Sequence, residues 1–283
     1  MLCVRPDQAV EPLTLKLLDT VAAVAAELEL PWFVTGAMAR DLLLTGVFGL
    51  KSGRATRDVD LAVAVAAWER FAELKARLLV TGSFQEARGT AHRLYYSLAQ
   101  GDRGYPLDLI PLGGIEGERS SIAWPPEGNP IMSVAGYEEA HATAVEVELI
   151  PGLVVRVASI PGLAVLKVLA WGDRGESDSK DAMDLGTILH QYFDAGNLER
   201  MYERELKILA AVGYDLELAG SRLLGRDVRA VATASTAEKV EAILAGHPDR
   251  LAIQVARAFP GADDALVKAE RLLEQFRLGL RGE

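Results

Sequence analysis

Apolar residues recur at three- and four-residue spacing from Leu15 to Leu30, which predicts an amphipathic helix. A short apolar run, Pro31-Trp32-Phe33-Val34-Thr35, then reads as a strand that ends at Gly36, with a second helix over Ala37–Leu44. Gly46 to Thr56 is rich in glycine and polar residues and reads as a loop. A strand is expected over Asp58–Val65 and a helix over Trp68–Leu79. His92–Leu98 and Pro106–Leu112 read as strands around a turn at Gly101–Gly104. Pro125-Pro126, Gly128 and Pro130 mark an irregular loop, and Val145–Leu149 with Val154–Val157 form a hairpin about Pro151-Gly152.

After Ser159-Ile160-Pro161-Gly162 the strand-like runs stop and helical periodicity takes over. Helices are expected over Leu163–Trp171, Lys180–Phe193, Leu198–Val212, Glu217–Leu224, Ala237–Leu244 and Ala265–Phe276. The pattern predicts an α/β (α+β) domain with a mixed sheet over residues 1–158, followed by an all-α domain over residues 159–283.

One strand breaks its own pattern. Arg57-Asp58-Val59-Asp60-Leu61-Ala62-Val63 places two carboxylates on one face of an apolar strand, with Val59 and Leu61 on the other. Adjacent like charges repel, and packing gains nothing from them. A divalent cation removes the conflict, and magnesium favours one or two carboxylates together with phosphate oxygens. Asp58 and Asp60 are therefore candidate metal ligands acting on phosphates. Asp108, in Leu107-Asp108-Leu109-Ile110, becomes a third ligand, and an acceptor for a hydroxyl proton, if its strand lies beside theirs. Otherwise it is a solvent-facing residue on a half-buried strand.

Thr35-Gly36-Ala37 lies at a strand-to-helix turn, where Gly36 and the Ala37 amide offer a phosphate cradle. Arg40 either reaches a phosphate or forms a surface salt bridge; Arg54 and Arg57 raise the same question, Arg57 being the better placed to neutralise the aspartates. Lys167, Trp171 and Arg174 share one helix face. Lys167 sits in an apolar run, so its ammonium must either reach water or meet an anion across the domain cleft. Asp181 is a candidate organiser of the site or a partner of Arg174, and Asp184 stays undecided. His92, Arg93, Tyr95 and Tyr96 read either as base or acceptor contacts or as a strand half in the core. Trp124 reads as a lid anchor or as a loop residue packed on the core.

These motifs carry a resemblance. Gly36-Ala37, a loop, and Asp58-Val59-Asp60 resemble the signature of the nucleotidyltransferase superfamily, the polymerase-beta-like fold. Thr35-Gly36-Ala37-Met38-Ala39-Arg40-Asp41 is similar to the opening segment of tRNA CCA-adding enzymes and poly(A) polymerases. The stronger similarity is to AbiE-type nucleotidyltransferases, which include toxins of type IV toxin–antitoxin systems. It runs through Arg54-Ala55-Thr56-Arg57-Asp58-Val59-Asp60, Leu107-Asp108-Leu109-Ile110-Pro111, Leu166-Lys167-Val168-Leu169-Ala170-Trp171 and Lys180-Asp181-Ala182-Met183-Asp184-Leu185.

The resemblance implies transfer of a nucleoside monophosphate from an NTP to a hydroxyl, two magnesium ions on Asp58, Asp60 and Asp108, and a phosphate contact from Lys167. It also implies a tRNA end or another macromolecule as acceptor, and a cognate antitoxin. Ala37 departs from the glycine or serine usual after the first glycine. That removes a hydroxyl contact to phosphate and keeps the backbone N–H. Two alternatives stand beside this reading: adenylylation of a small molecule such as an aminoglycoside, and a degenerate fold used only for binding.

Composition shifts the balance little. The chain has 283 residues, 50% of them hydrophobic, enough for a large core. Its net charge of −10 does not attract nucleic acid through the overall field and suits a cationic acceptor better. The single cysteine, Cys3, excludes an intrachain disulfide, and four scattered histidines make no zinc cluster. Pro151, Arg156, Pro161 and Lys167 interrupt the most apolar stretch, and the N-terminus lacks a signal-like apolar run. No membrane span and a cytoplasmic location are expected.

Overall fold

The computed structural model describes residues 1–51, 56, 58–97, 104–117 and 120–283. The chain divides into two compact units: Met1–Leu42 with Ala55–Ala158, and Leu43–Arg54 with Ser159–Glu283.

The first unit is built on a mixed sheet. Among the described residues its strands are β1 (Leu2–Cys3), β2 (Trp32–Thr35), β3 (Val59–Val65), β4 (Phe84–Glu86), β5 (Arg93–Tyr96), β6 (Tyr105–Gly113), β9 (Val145–Ile150) and β10 (Leu153–Val157). The order across the sheet is β1-β9-β10-β2-β3-β6-β5-β4. Strands β7 (Ser121–Ala123) and β8 (Ile131–Ser133) form a separate antiparallel pair. The centre of the sheet carries the apolar runs. Val59, Leu61, Val63, Leu107 and Leu109 are fully buried, as a central strand covered on its face requires.

Helices α1 (Pro12–Glu27) and α3 (Trp68–Val80) pack on each other, α1 against β10 and α3 against β3 and β4. Proline opens α1, where its missing N–H costs nothing, and Glu11 accepts from the Thr14 amide at 2.8 Å. The short α2 (Gly36–Asp41) leaves the end of β2 directly, and Leu42–Val47 continues it as a π-helical segment. Such wide turns are uncommon and concentrate near functional residues. A six-residue helix, α4 (Tyr137–Ala142), precedes β9.

The second unit is helical: α5 (Ile160–Arg174), α6 (Lys180–Gln191), α7 (Leu198–Arg204), α8 (Leu206–Ala211), α9 (Leu216–Val231), α10 (Ala234–Gly246), α11 (Pro248–Ala256) and α12 (Ala265–Arg281). Ser159 caps α5 through the Gly162 amide at 3.2 Å, followed by Pro161 in the first turn. Helix α5 is buried on almost every side, from Ile160 to Trp171, which makes it the core of this unit.

Several elements differ from the sequence reading. The helix expected over Leu198–Val212 is two short ones, interrupted at Glu205. Helix α11 and strands β1, β4, β7 and β8 go beyond that reading, each being short or weakly periodic. Helices α9 and α12 run further than their apolar stripes suggest. Most of the turn expected at Gly101–Gly104 lies outside the described residues. No helix among the described residues is long and apolar enough to cross a membrane.

Candidate active site

Strand register assembles a polar row across the sheet of the first unit. In-register partners on neighbouring strands share a face, so one row can be read from strand to strand. Thr35 of β2 lies opposite Asp60 of β3, Asp60 opposite Asp108 of parallel β6, and Asp108 opposite Arg93 of β5. Asp58 immediately precedes β3 and is exposed, while Val59 and Leu61 beside it are fully buried. Strand β6, which carries Asp108, pairs directly with the strand of Asp60.

Gly36 closes the back of the row. Its φ of +66° is a conformation that side chains rarely adopt. A Cβ built there would lie 1.9 Å from Asp60 Oδ2, so only glycine lets the carboxylate rest against the β2–α2 turn. Ala37 follows and is buried. Arg40 is not on the surface: its side chain is 2% exposed, and its Nε donates to Asp41 Oδ1 at 2.9 Å. Arg54 and Arg57 lie outside the described residues.

Asp108 is engaged by Arg93. The guanidinium donates through Nε to Asp108 Oδ1 and through Nη2 to Oδ2, both at 2.6 Å. This fork is the strongest arrangement available to an arginine and a carboxylate. Hydrogen bonding to Asp108 and the fields of Asp108 and Asp58 raise the already high pKa of Arg93. Its charge is permanent at any working pH. The sequence groups Arg93 with His92 and the tyrosines as base contacts or strand residues. Its role beside Asp108 depends on the β5–β6 register, which no local motif announces.

His92 turns instead to Trp124, with ring centroids 5.5 Å apart, and burial lowers its pKa. Trp124 is 2% exposed and packs on Trp68 and Phe71, so it belongs to the core. Tyr96 is buried and Tyr95 faces out, the half-core alternation of a strand.

A second cluster lies in the helical unit. Lys167 of α5 is buried, and its Nζ sits 3.0 Å from Asp181 Oδ1 and 2.6 Å from Asp184 Oδ2 of α6. Arg174 Nε reaches Asp181 Oδ2 at 2.7 Å. Burial opposes the charge on Lys167, but the two aspartates outweigh it and raise its pKa. Burial likewise opposes ionisation of Asp181, and Lys167 with Arg174 overcomes it, holding that carboxyl below its ordinary range. The anion expected for Lys167 is thus found within its own unit. Its ammonium is enclosed by carboxylates rather than presented to a phosphate. Trp171, expected on the same helix face, is buried and donates to Gln254 Oε1 at 2.6 Å.

The donors suit a divalent ion in kind. Carboxylate oxygens at a strand end against a glycine turn are hard ligands of the type magnesium takes. In number they fall short of the expected trio: among the described residues no three acidic, histidine or cysteine side chains converge closely enough to hold a metal. Asp58 and Asp60 remain as candidates, and Asp108 is turned to Arg93.

A family model described as the nucleotidyl transferase AbiEii toxin, type IV TA system, matches residues 17–249. The chain belongs to this family. It is a nucleotidyltransferase. No curated protein matches it. Among solved structures it is similar to the solution structure of the antibiotic-resistance factor ANT(2'')-Ia, with 16% identity and a TM-score of 0.41 over 72% of this chain and 99% of that one. An antigenic nucleotidyltransferase-like protein from Paracoccidioides brasiliensis matches at 17% identity and a TM-score of 0.43, covering 75% and 94%. The Thermotoga maritima CCA-adding enzyme complexed with tRNA matches at 13% and 0.26, covering 98% and 83%.

Proposed function

We propose that this AbiEii-family chain moves a nucleoside monophosphate from an NTP to a hydroxyl group, with the acidic row of the first unit as its centre. The observation that carries the reading is the in-register placement of Asp60 and Asp108 with Gly36 pressed against Asp60. Cross-strand pairing brings Asp60 and Asp108 side by side, and alternation with buried Val59 and Leu61 sets Asp60 on the face away from that core.

In this reading Asp58 and Asp60 would hold two magnesium ions, and Asp108 would join them only as Arg93 releases it. Bound there, the metal would polarise phosphate oxygens and neutralise charge on the departing pyrophosphate. The protein's part is positional. The amides of Gly36 and Ala37 hold phosphate oxygens at the start of α2, with buried Arg40 on the same helix as a fixed positive charge. The acceptor oxygen forms a bond to the α-phosphorus, the bond from that phosphorus to the bridging oxygen breaks, and the hydroxyl proton passes to Asp108. Asp181 and Lys167 fix the α5–α6 pair; Lys167 organises carboxylates rather than touching phosphate.

The acceptor proposed is the end of a tRNA, reached in the cytoplasm, with a cognate antitoxin as the regulating partner. The family, a toxin of a type IV system, supports the antitoxin; the tRNA end rests on the resemblance of Thr35-Gly36-Ala37-Met38-Ala39-Arg40-Asp41 to CCA-adding enzymes. The net charge of −10 favours a second reading, adenylylation of a small cationic acceptor. The two separate in one experiment: incubation with magnesium, labelled NTPs, total tRNA and an aminoglycoside panel. Label on RNA supports the first and label on the drug the second. No calorimetric NTP binding with magnesium present would overturn both and leave a binding module.

A further inference from the structure

We propose that Arg93 is a resident counter-cation that competes with divalent ions for Asp108, and so sets how tightly the acidic row takes up metal. The inference rests on the proposed metal site and goes beyond it, because it concerns a residue outside the proposed metal ligands.

The geometry is specific. Arg93 and Asp108 face each other across antiparallel β5 and β6, and Asp108 faces Asp60 across parallel β3 and β6. The guanidinium uses two of its nitrogens, one on each Asp108 oxygen, both at 2.6 Å. It therefore occupies the side of the carboxylate on which a fork closes, and it does so from the strand opposite Asp60. A metal held by Asp60 and Asp108 together needs Asp108 oxygens directed towards β3. A guanidinium holding both oxygens directs them towards β5.

Charge points the same way. Arg93 neutralises a negative row that would otherwise repel itself, and Asp58 as well as Asp108 acts on it. A divalent ion does the same job. The two cations repel one another when both lie on one carboxylate, so the arrival of one favours the departure of the other. Arginine keeps its charge at any working pH, so protonation of Arg93 cannot be the switch; another cation for Asp108, or another anion for Arg93, can. Lys75, whose charge acts on the adjacent His92, bonds the Ala91 carbonyl at 2.8 Å and lies 3.5 Å from Glu86, so it does not replace Arg93. His92 itself is held towards its neutral form by burial and packs on Trp124. The competition therefore lies between Arg93 and the incoming ion.

The test is manganese titration calorimetry on the full chain without nucleotide, comparing the native protein with Arg93→Gln, Asp108→Asn and the double variant. Removing an outer-shell partner that supports a metal ligand weakens binding by about 10–100-fold, so a competitor is recognised by the opposite sign. Arg93→Gln is expected to tighten manganese binding by about tenfold, and to make no difference once Asp108 is asparagine. The same variant should melt at a lower temperature without metal and recover with manganese. Arg93→Lys, a weaker clamp, should fall between and serves if the glutamine variant is poorly folded. Weaker or unchanged manganese affinity in folded Arg93 variants would overturn the competition, and weaker affinity would make Arg93 a positioning residue. If the native protein binds no manganese even with nucleotide, the metal site itself fails.

Discussion

Asp60 rests against a residue with no side chain, and that contact ties backbone conformation to the proposed chemistry. Gly36→Ala places a methyl where Asp60 Oδ2 now lies and strains a positive φ. A displacement of the order of 1 Å at a reacting centre costs roughly 100-fold. The strain costs roughly 1–3 kcal/mol. Nucleotide transfer should therefore fall about 100-fold in a protein whose thermal melt still shows a folded state. An equal loss of fold and activity would make Gly36 purely structural.

Lys167 gives the converse case, a charge whose role is to keep other charges buried. Lys167→Met leaves Asp181 and Asp184 facing each other without an ammonium. Breaking such a pair costs about 3–5 kcal/mol, to be measured by urea unfolding. Replacing both aspartates by asparagine in the same protein should recover part of the loss. The cluster also fixes a pH dependence. Asp181 is depressed below its ordinary 3.8, so its contribution is present above that value and is lost as pH falls through its folded pKa. Lys167 is raised above 10.5, so its contribution is full below that value and is lost only as pH rises through its folded pKa. Stability from this cluster should be flat from about pH 4 to about pH 10, with an acid limb that Asp181→Asn removes.

At the scale of elements, strand pairing does what no single motif does. The β3–β6 register brings Asp108 opposite Asp60, and the β5–β6 register adds Arg93. Asp58 and Asp60 stand out in the sequence because they interrupt an apolar strand. Arg93 does not, because an arginine on a half-exposed strand is unremarkable until its partner is known. The burial of Arg40 is hidden for another reason: the short helix carrying it has too few residues to show its buried side. The strong periodicities of α1, α3, α5 and α6 are legible. The break at Glu205, the π-helical turns and α11 are not, since short elements owe their form to packing rather than to local pattern.

Helices α9 and α12 show that packing directly. A Cβ at Gly225 would lie 2.0 Å from the Phe276 carbonyl, and one at Gly279 would lie 1.9 Å from the Arg222 carbonyl. The two backbones touch where both helices lack side chains. Gly225→Ala and Gly279→Ala should each destabilise the protein by about 1–3 kcal/mol in urea. A change within about 0.5 kcal/mol, as at ordinary surface positions, would show that the crossing yields easily.

At the scale of the whole chain, a mixed sheet carries the acidic row and a helical unit carries the buried lysine cluster, each with its own core. The family places nucleotidyl transfer on this chain. The central proposal is that Asp58 and Asp60 perform it. The direct measurement is transfer of labelled nucleotide, in magnesium, to tRNA and to aminoglycosides, by the native protein and by the Asp58→Ala, Asp60→Ala double variant, with pyrophosphate release followed in parallel. The account predicts label and pyrophosphate from the native protein and neither from a double variant that melts as a folded protein. Label transferred undiminished by the double variant would contradict it.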